Sequence, residues 1–268
     1  MERKRLRLLA TVGLTAFFCG ASPGWAQTAP SLGSAQSFAV LGGSTVTNTG
    51  PTTITGDLGV SPGSAVTGFP PGQVSGGAIH AADAVALAAQ NSVTTAYNSL
   101  TSQACTLDLT GQDLGGKTLT PGVYCFSSSA QLTGILTLNA GGNAGAVFIF
   151  KIGSTLTTAS GSSVAVINGG SPCNVFWQVG SSATAGTTTS FAGNILALTS
   201  ITLTTGARVT GRALARNGAV TLDSNTVTTA ACAAAPVPAL PDMLLIVLAL
   251  GLTGLGYFRL RRQARTAH

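Results

Sequence analysis

Short segments along this chain set an apolar residue between hydroxyl or small ones: Thr45-Val46-Thr47, Thr155-Leu156-Thr157, Thr202-Leu203-Thr204 and Ala219-Val220-Thr221-Leu222. Successive side chains of a β-strand point to opposite faces. On strands, Val46, Leu156, Leu203, Val220 and Leu222 therefore face inward, and the flanking threonines face outward. A second kind of segment is nearly continuous in apolar residues: Phe148-Ile149-Phe150, Val175-Phe176-Trp177-Gln178-Val179 and Ile195-Leu196-Ala197-Leu198. Strands of that kind are covered on both sides. A third short stretch, such as Val164-Ala165-Val166 or Arg208-Val209-Thr210, follows the Thr segment before the cycle restarts.

The order of covered strand, Thr strand and third strand recurs between Val123 and Val227 at intervals of roughly 18 to 28 residues, within the range of repeat folds. It predicts a mainly β chain, an irregular three-sided β-solenoid in which each coil adds one strand to each of three parallel sheets. A jelly roll or sandwich is the structural alternative. Phe38-Ala39-Val40-Leu41, Thr45-Val46-Thr47 and Thr53-Ile54-Thr55 form one such coil near the N-terminus and are expected to stack beside the later ones. Between them and the main array, about residues 78–101, Gly and Pro vanish. Ala82, Ala86, Ala89, Val93, Ala96, Tyr97 and Leu100 there recur mostly at steps of three and four. This predicts one long amphipathic helix, small enough on one face to lie close on a covered sheet.

Charge changes the picture by where it sits. The net charge of +6 resembles a nucleic-acid signal, but it comes from the two ends. Arg3, Lys4, Arg5 and Arg7 precede the first apolar run, and Arg259, Arg261, Arg262 and Arg265 follow the last. Between residues 27 and 235, Lys117, Lys151, Arg208, Arg212 and Arg216 balance Asp57, Asp83, Asp108, Asp113 and Asp223. The body is formally neutral, and the spaced arginines read as a solvated edge without aromatic interleaving. No nucleic-acid partner is expected.

The basic start, the apolar run Leu8 to Phe18 and Gly24-Trp25-Ala26 form a secretory leader, expected to be cleaved after Ala26. The boundaries follow: leader 1–26, β-solenoid body 27–235, Pro-rich linker 236–242, hydrophobic helix 243–258 and basic tail 259–268. Met243 to Phe258 carries no charge and is near the lower limit of a membrane span. With the arginines after it, the segment reads as a tail anchor. Its Pro-rich entry, short apolar run and Arg cluster also resemble the PEP-CTERM and IPTL-CTERM sorting tails, so membrane contact is expected through the helix or its sorting machinery. The chain is expected to be exported, extracellular or cell-surface, and monomeric.

Candidate chemistry is sparse. The exported body has no Glu and one histidine, His80, whose pairing with Asp83 at a helix start reads as a cap. Gly59-Val60-Ser61-Pro62-Gly63 has the letters of a nucleophile elbow, but Pro62 and Gly63 open a corner rather than a helix. The five aspartates are too scattered for paired-carboxylate chemistry, and nothing is grouped for a metal. No enzyme, cofactor or metal site is expected. Cys105, Cys125, Cys173 and Cys232 remain after leader removal, an even number that favours disulfides in an exported chain. Three pairings are possible; Cys105–Cys125 is preferred because it closes a compact loop, with Cys173–Cys232 following.

The segments Ser34-Ala-Gln-Ser-Phe-Ala-Val-Leu41, Thr55-Gly-Asp-Leu-Gly-Val-Ser-Pro62, Leu119-Thr-Pro-Gly-Val-Tyr124, Val175-Phe-Trp-Gln-Val-Gly-Ser181 and Gly211-Arg-Ala-Leu-Ala-Arg-Asn-Gly-Ala-Val-Thr-Leu222 resemble signatures of the DUF3494 ice-binding proteins. The resemblance spans about residues 31–232. It implies a discontinuous β-solenoid with one helix alongside, and adsorption to an ice crystal surface through one flat face. Thr184-Ala185-Gly186-Thr187 matches a Thr-Ala/Gly-x-Thr/Asn motif that some members carry on that face. Thr205-Gly206-Ala207-Arg208 and Thr158-Ala159-Ser160-Gly161 depart from it at the last position. The expected contact residues are Thr45, Thr47, Thr133, Thr155, Thr157, Thr184, Thr187, Thr202, Thr204, Ala219 and Thr221. The alternative is a structural or adhesive cell-surface solenoid without ice activity.

Overall fold

The structure, a computed structural model, describes residues 27–232. The leader, the linker, the hydrophobic segment 243–258 and the basic tail lie outside the described residues.

The chain winds as three parallel sheets around one core, in the predicted order of sides. The Thr side stacks Ala130–Leu132, Leu156–Thr158, Ala183–Ala185, Ile201–Leu203, Val220–Asp223, Thr45–Thr49 and Ala65–Thr67, all parallel and in that spatial order. The covered side runs from Leu107–Asp108 through Gly122–Phe126, Phe148–Ile152 and Val175–Val179. It ends with Phe38–Gly42, Asp57–Val60 and Ile79–Ala81. Ser190–Ala197 and Arg208–Ala215 are long strands that begin on the third side and finish on the covered side, joining the two into one sheet. Each turns its corner at a glycine with positive φ, Gly193 (117°) and Gly211 (142°). A Cβ on Gly211 would lie 2.1 Å from the Gly193 carbonyl oxygen, so the corner requires glycine at that position.

The solenoid is discontinuous in sequence. The coil Phe38 to Thr55 stacks directly on the C-terminal coil: Val40 pairs with Ala213, Thr47 with Thr221 and Thr55 with Thr228. The helix Ala84–Thr101 then carries the chain back to the opposite end. At 1.5 Å per residue its 18 residues cover about 27 Å, roughly five to six strand spacings. It starts later than the sequence spacing predicts, because Ile79–Ala81 is recruited as an edge strand beside Asp57–Val60. Asp83 then fixes the first turn by accepting the Ala86 N–H at 2.8 Å.

Two apolar cores result. Inside the solenoid, Tyr124, Phe150 and Trp177 stack in adjacent strands, with Phe150 and Trp177 centroids 3.9 Å apart and 9° from parallel. Trp177 Nε1 donates to the Ala192 carbonyl at 3.1 Å, so its polar atom is satisfied. Outside, Ala86, Ala89, Val93, Ala96 and Leu100 of the helix pack on Phe38, Leu41, Ile149, Phe176, Leu196 and Leu214. The small helix residues let a flat sheet face approach closely. Cys105–Cys125 and Cys173–Cys232 are the disulfides, with Cα atoms 5.9 and 5.1 Å apart.

The spaced arginines are not one solvated edge. Arg212 is 3% exposed because the Gly211 corner turns it beneath the chain entering the first coil. It donates through Nε to the Gln36 carbonyl at 3.1 Å and through Nη1 to Asn194 Oδ1 at 2.8 Å. Burial lowers its pKa to about 10. Arg216 is half-buried and donates to Thr94 Oγ1 of the helix at 2.7 Å; Arg208 is exposed. Two of the three arginines therefore fasten elements together, a role that spacing alone did not reveal.

Candidate functional site

Strand register turns the scattered Thr segments into a single row. Gln131 pairs with Thr157, Thr157 with Thr184, Thr184 with Thr202, Thr202 with Thr221, Thr221 with Thr47, and Thr47 with Thr67. Six threonines thus stand side by side, about 4.8 Å apart, pointing away from the core. Most residues on either side of them face inward and are buried, among them Leu156, Ile201, Leu203, Val220, Leu222 and Val46. The alternation that packs the interior therefore creates the outer ladder. Thr47 and Thr221 carry Oγ1 atoms 3.4 Å apart.

A second row lies two residues earlier, about 6.7 Å away, at the first residue of Thr45–Thr49 and Ala65–Thr67 and just before the start of the other five strands. It contains Thr45, Thr155 and Ala219 of the expected residues, with Ser129, Ser182, Ser200 and Ala65 beside them. Thr155 Oγ1 donates to Ser129 Oγ at 2.8 Å. Every member is a small, uncharged residue. The two rows together form a narrow, regular plane of methyls and hydroxyls.

The remaining expected residues leave the plane. Thr133 sits in the turn after Ala130–Leu132, where its hydroxyl donates to Asp113 Oδ2 at 2.9 Å. Thr187 lies in the turn after Ala183–Ala185. Thr204 follows Ile201–Leu203 and donates to the Ala185 carbonyl at 2.8 Å. These three occupy the corner beyond the sheet. Thr158 is buried, bonded to Thr189 Oγ1 at 2.8 Å, so the Thr158-Ala159-Ser160-Gly161 segment presents no outward threonine. Thr67 and Gln131 complete the ladder and were missed. Ala65-Val66-Thr67 has the same alternation as Thr45-Val46-Thr47, and that signal was available. The row ends beyond Gln131 in Asp113, which bridges to it and whose carboxylate is tied into its own turn by the Gly115 N–H at 2.6 Å.

His80 Nδ1 lies 2.7 Å from Asp83 Oδ2, and Asp83 also caps the helix. The Ala86 N–H, with His80 second, holds its carboxyl below the ordinary range. The cleft of about 560 Å³ near Ser37, Thr55, Arg212 and Thr229 has no carboxylate or imidazole in its lining. Gly59 to Gly63 is a corner between two strands. Among the described residues there is no group of three or more His, Cys, Asp or Glu that could hold a metal ion.

The described residues form a three-sided solenoid that carries one uncharged row of outward threonines. The chain belongs to the ice-binding protein family: the Ice-binding-like family model matches residues 40–228. It is 56% identical over 271 residues to an ice-binding protein of Nostoc sp. (strain HG1), covering 99% of this chain and 98% of that one. Among solved structures it is similar to an ice-binding protein from an Antarctic biological consortium. That likeness has a TM-score of 0.73 and 50% identity over 76% of this chain and 92% of the other. A second, from the Antarctic ascomycete Antarctomyces psychrotrophicus, gives a TM-score of 0.72 and 42% identity over 75% and 98%.

Proposed function

We propose that this protein adsorbs to ice through the plane containing Thr47, Thr157, Thr184, Thr202 and Thr221, and so inhibits ice growth or recrystallisation. The observation that carries the reading is the unbroken register of outward threonines. Each Thr offers a methyl that can seat against ordered water and a hydroxyl that can join its hydrogen-bond lattice. One such contact is weak, and immobilising flexible groups would cost more than it returned. Here the groups are ordered before contact by the parallel strands, so their effects combine as in multivalent binding. A charged side chain would hold its own hydration shell against the lattice, and the central ladder has none between Gln131 and Thr67.

Leader cleavage after Ala26, export, and either anchoring or sorting through residues 243–258 form part of the same proposal. The match to the Nostoc protein extends over nearly the full length of both chains, so it takes in these end segments. Among the described residues no helix is long and apolar enough to cross a membrane.

The test is partition into ice grown slowly on a cold finger in a dilute solution. Enrichment of this protein in the ice over a co-dissolved control protein supports the reading. Exclusion to the control's level sinks it and leaves the structural or adhesive surface role.

A further inference from the structure

The third side of the solenoid carries its own threonines, densest at one end. On Arg208–Ala215, Thr226–Thr228 and Thr53–Thr55 the register aligns Thr210 with Thr228 and Thr228 with Thr55, and beside them Thr226 with Thr53. Between these rows Val209, Val227 and Ile54 turn inward and are buried. The five threonines therefore form a two-row grid over three neighbouring strands. Thr53 and Thr226 Oγ1 atoms lie 3.4 Å apart, as do Thr55 Oγ1 and Ser75 Oγ. The same inter-strand hydroxyl spacing links Thr47 and Thr221 on the ladder.

Three features separate this grid from threonines that merely suit a pleated strand. Both of its outward rows hold adjacent threonines, whereas in the ladder's second row Thr45 and Thr155 stand apart. It adjoins the ladder around a single corner, because Thr45–Thr49 continues directly into Thr53–Thr55 and Val220–Asp223 into Thr226–Thr228. Its charge is confined to Arg208, which stands at one end of the Thr226 and Thr53 row, while Asp223 at the corner is engaged by Thr205 Oγ1 and Ser224 Oγ. Farther along the third side the outward positions change to Ser190, Ser163, Ile135 and Ala165, so the grid ends, and threonine returns only as the separate pair Thr137 and Thr118.

We propose that Thr53, Thr55, Thr210, Thr226 and Thr228 form a second ice-adsorbing surface, facing away from the ladder. This rests on the chain's adsorbing to ice, but not on the ladder's being the principal site. The two surfaces belong to different sides of a three-sided rod, so one flat crystal plane meets only one of them. A molecule held by one surface keeps the other available, which suits it to the boundary between two ice grains or to a step where two planes meet.

The test uses the full-length protein, fluorescently labelled, on a single-crystal ice hemisphere, with partition into the ice measured in parallel. The variants are Thr184→Tyr with Thr202→Tyr on the ladder, Thr53→Tyr with Thr210→Tyr on the grid, and all four together. Unchanged circular dichroism and melting show that each folds. The proposal expects residual ice fluorescence in the ladder variant that falls roughly tenfold or more when the grid changes are added. The grid variant alone should lose part of the parent's partition. Background fluorescence in the ladder variant overturns the second surface, as does a grid variant equal to the parent. A ladder variant equal to the parent, with the fourfold variant at background, refutes the ladder and supports the grid.

Discussion

Replacing Thr202 with tyrosine probes the centre of the ladder. Thr202 is half-buried at its base and lies between Thr184 and Thr221 in register. Tyrosine is a good strand residue, and exposed substitutions of this kind usually change stability by no more than about 0.5 kcal/mol. Its ring would stand above the plane by roughly one strand spacing, about 5 Å. A flat crystal surface would then be held off residue 202 and both neighbours. If each of those three positions loses a contact worth about 0.5 kcal/mol, the low end for a net hydrogen bond, adsorption weakens by about 1.5 kcal/mol. That is roughly tenfold in equilibrium constant. The assay is thermal hysteresis titrated against protein concentration: Thr202→Tyr should need about ten times more protein to match the parent. Thr95→Tyr, on the exposed face of the helix, should superimpose on the parent curve. If Thr202→Tyr also superimposes while remaining folded, the ladder is not the contact surface.

Other predictions concern what holds the plane flat. Gly211→Ala introduces a Cβ against the Gly193 carbonyl at a φ of 142°, and should destabilise by more than about 1 kcal/mol in guanidinium unfolding. Reducing Cys105–Cys125, which spans 20 residues, should cost about 3 kcal/mol by chain entropy. That loss should be visible as a lower melting temperature with reductant. Asp83 and Asp108 have carboxyls held below the ordinary range, by the Ala86 N–H and the Thr110 hydroxyl respectively. Depressed carboxylates stabilise the fold above the unfolded value of about 3.9. That contribution fades as pH drops below about 4. Melting should therefore be nearly level from neutral pH to about 5 and should fall in stronger acid, more shallowly in Asp83→Asn.

Much of this architecture was legible because hydrophobic alternation and corner residues act locally. The Thr strands followed from period-two patterning and the covered strands from continuous apolar runs, and the order of the three sides within a coil followed the sequence. The helix began later than expected because Ile79–Ala81, just before it, finds a partner in Asp57–Val60 that no local pattern records. Arg212 was misread for the same reason: its partners, Gln36 and Asn194, are distant in sequence and meet only when the first coil stacks on the last. The candidate site divides likewise. Thr47, Thr157, Thr202 and Thr221 stand out by alternation alone, and Thr184 by the motif of the resemblance. Excluding Thr133, Thr187 and Thr204 required knowing where each short strand stops, and including Gln131 required register. The second Thr grid depends on Thr53–Thr55 lying beside Thr226–Thr228, a pairing made by the discontinuous stacking.

The most direct measurement is the growth of a single ice crystal, viewed along its c-axis, in a dilute solution of the protein cooled just below its melting point. The account predicts faceted growth and a gap between melting and growth temperatures, both greatly weakened in the Thr184→Tyr, Thr202→Tyr double variant. A smooth disc that grows without hysteresis in the parent protein would contradict it.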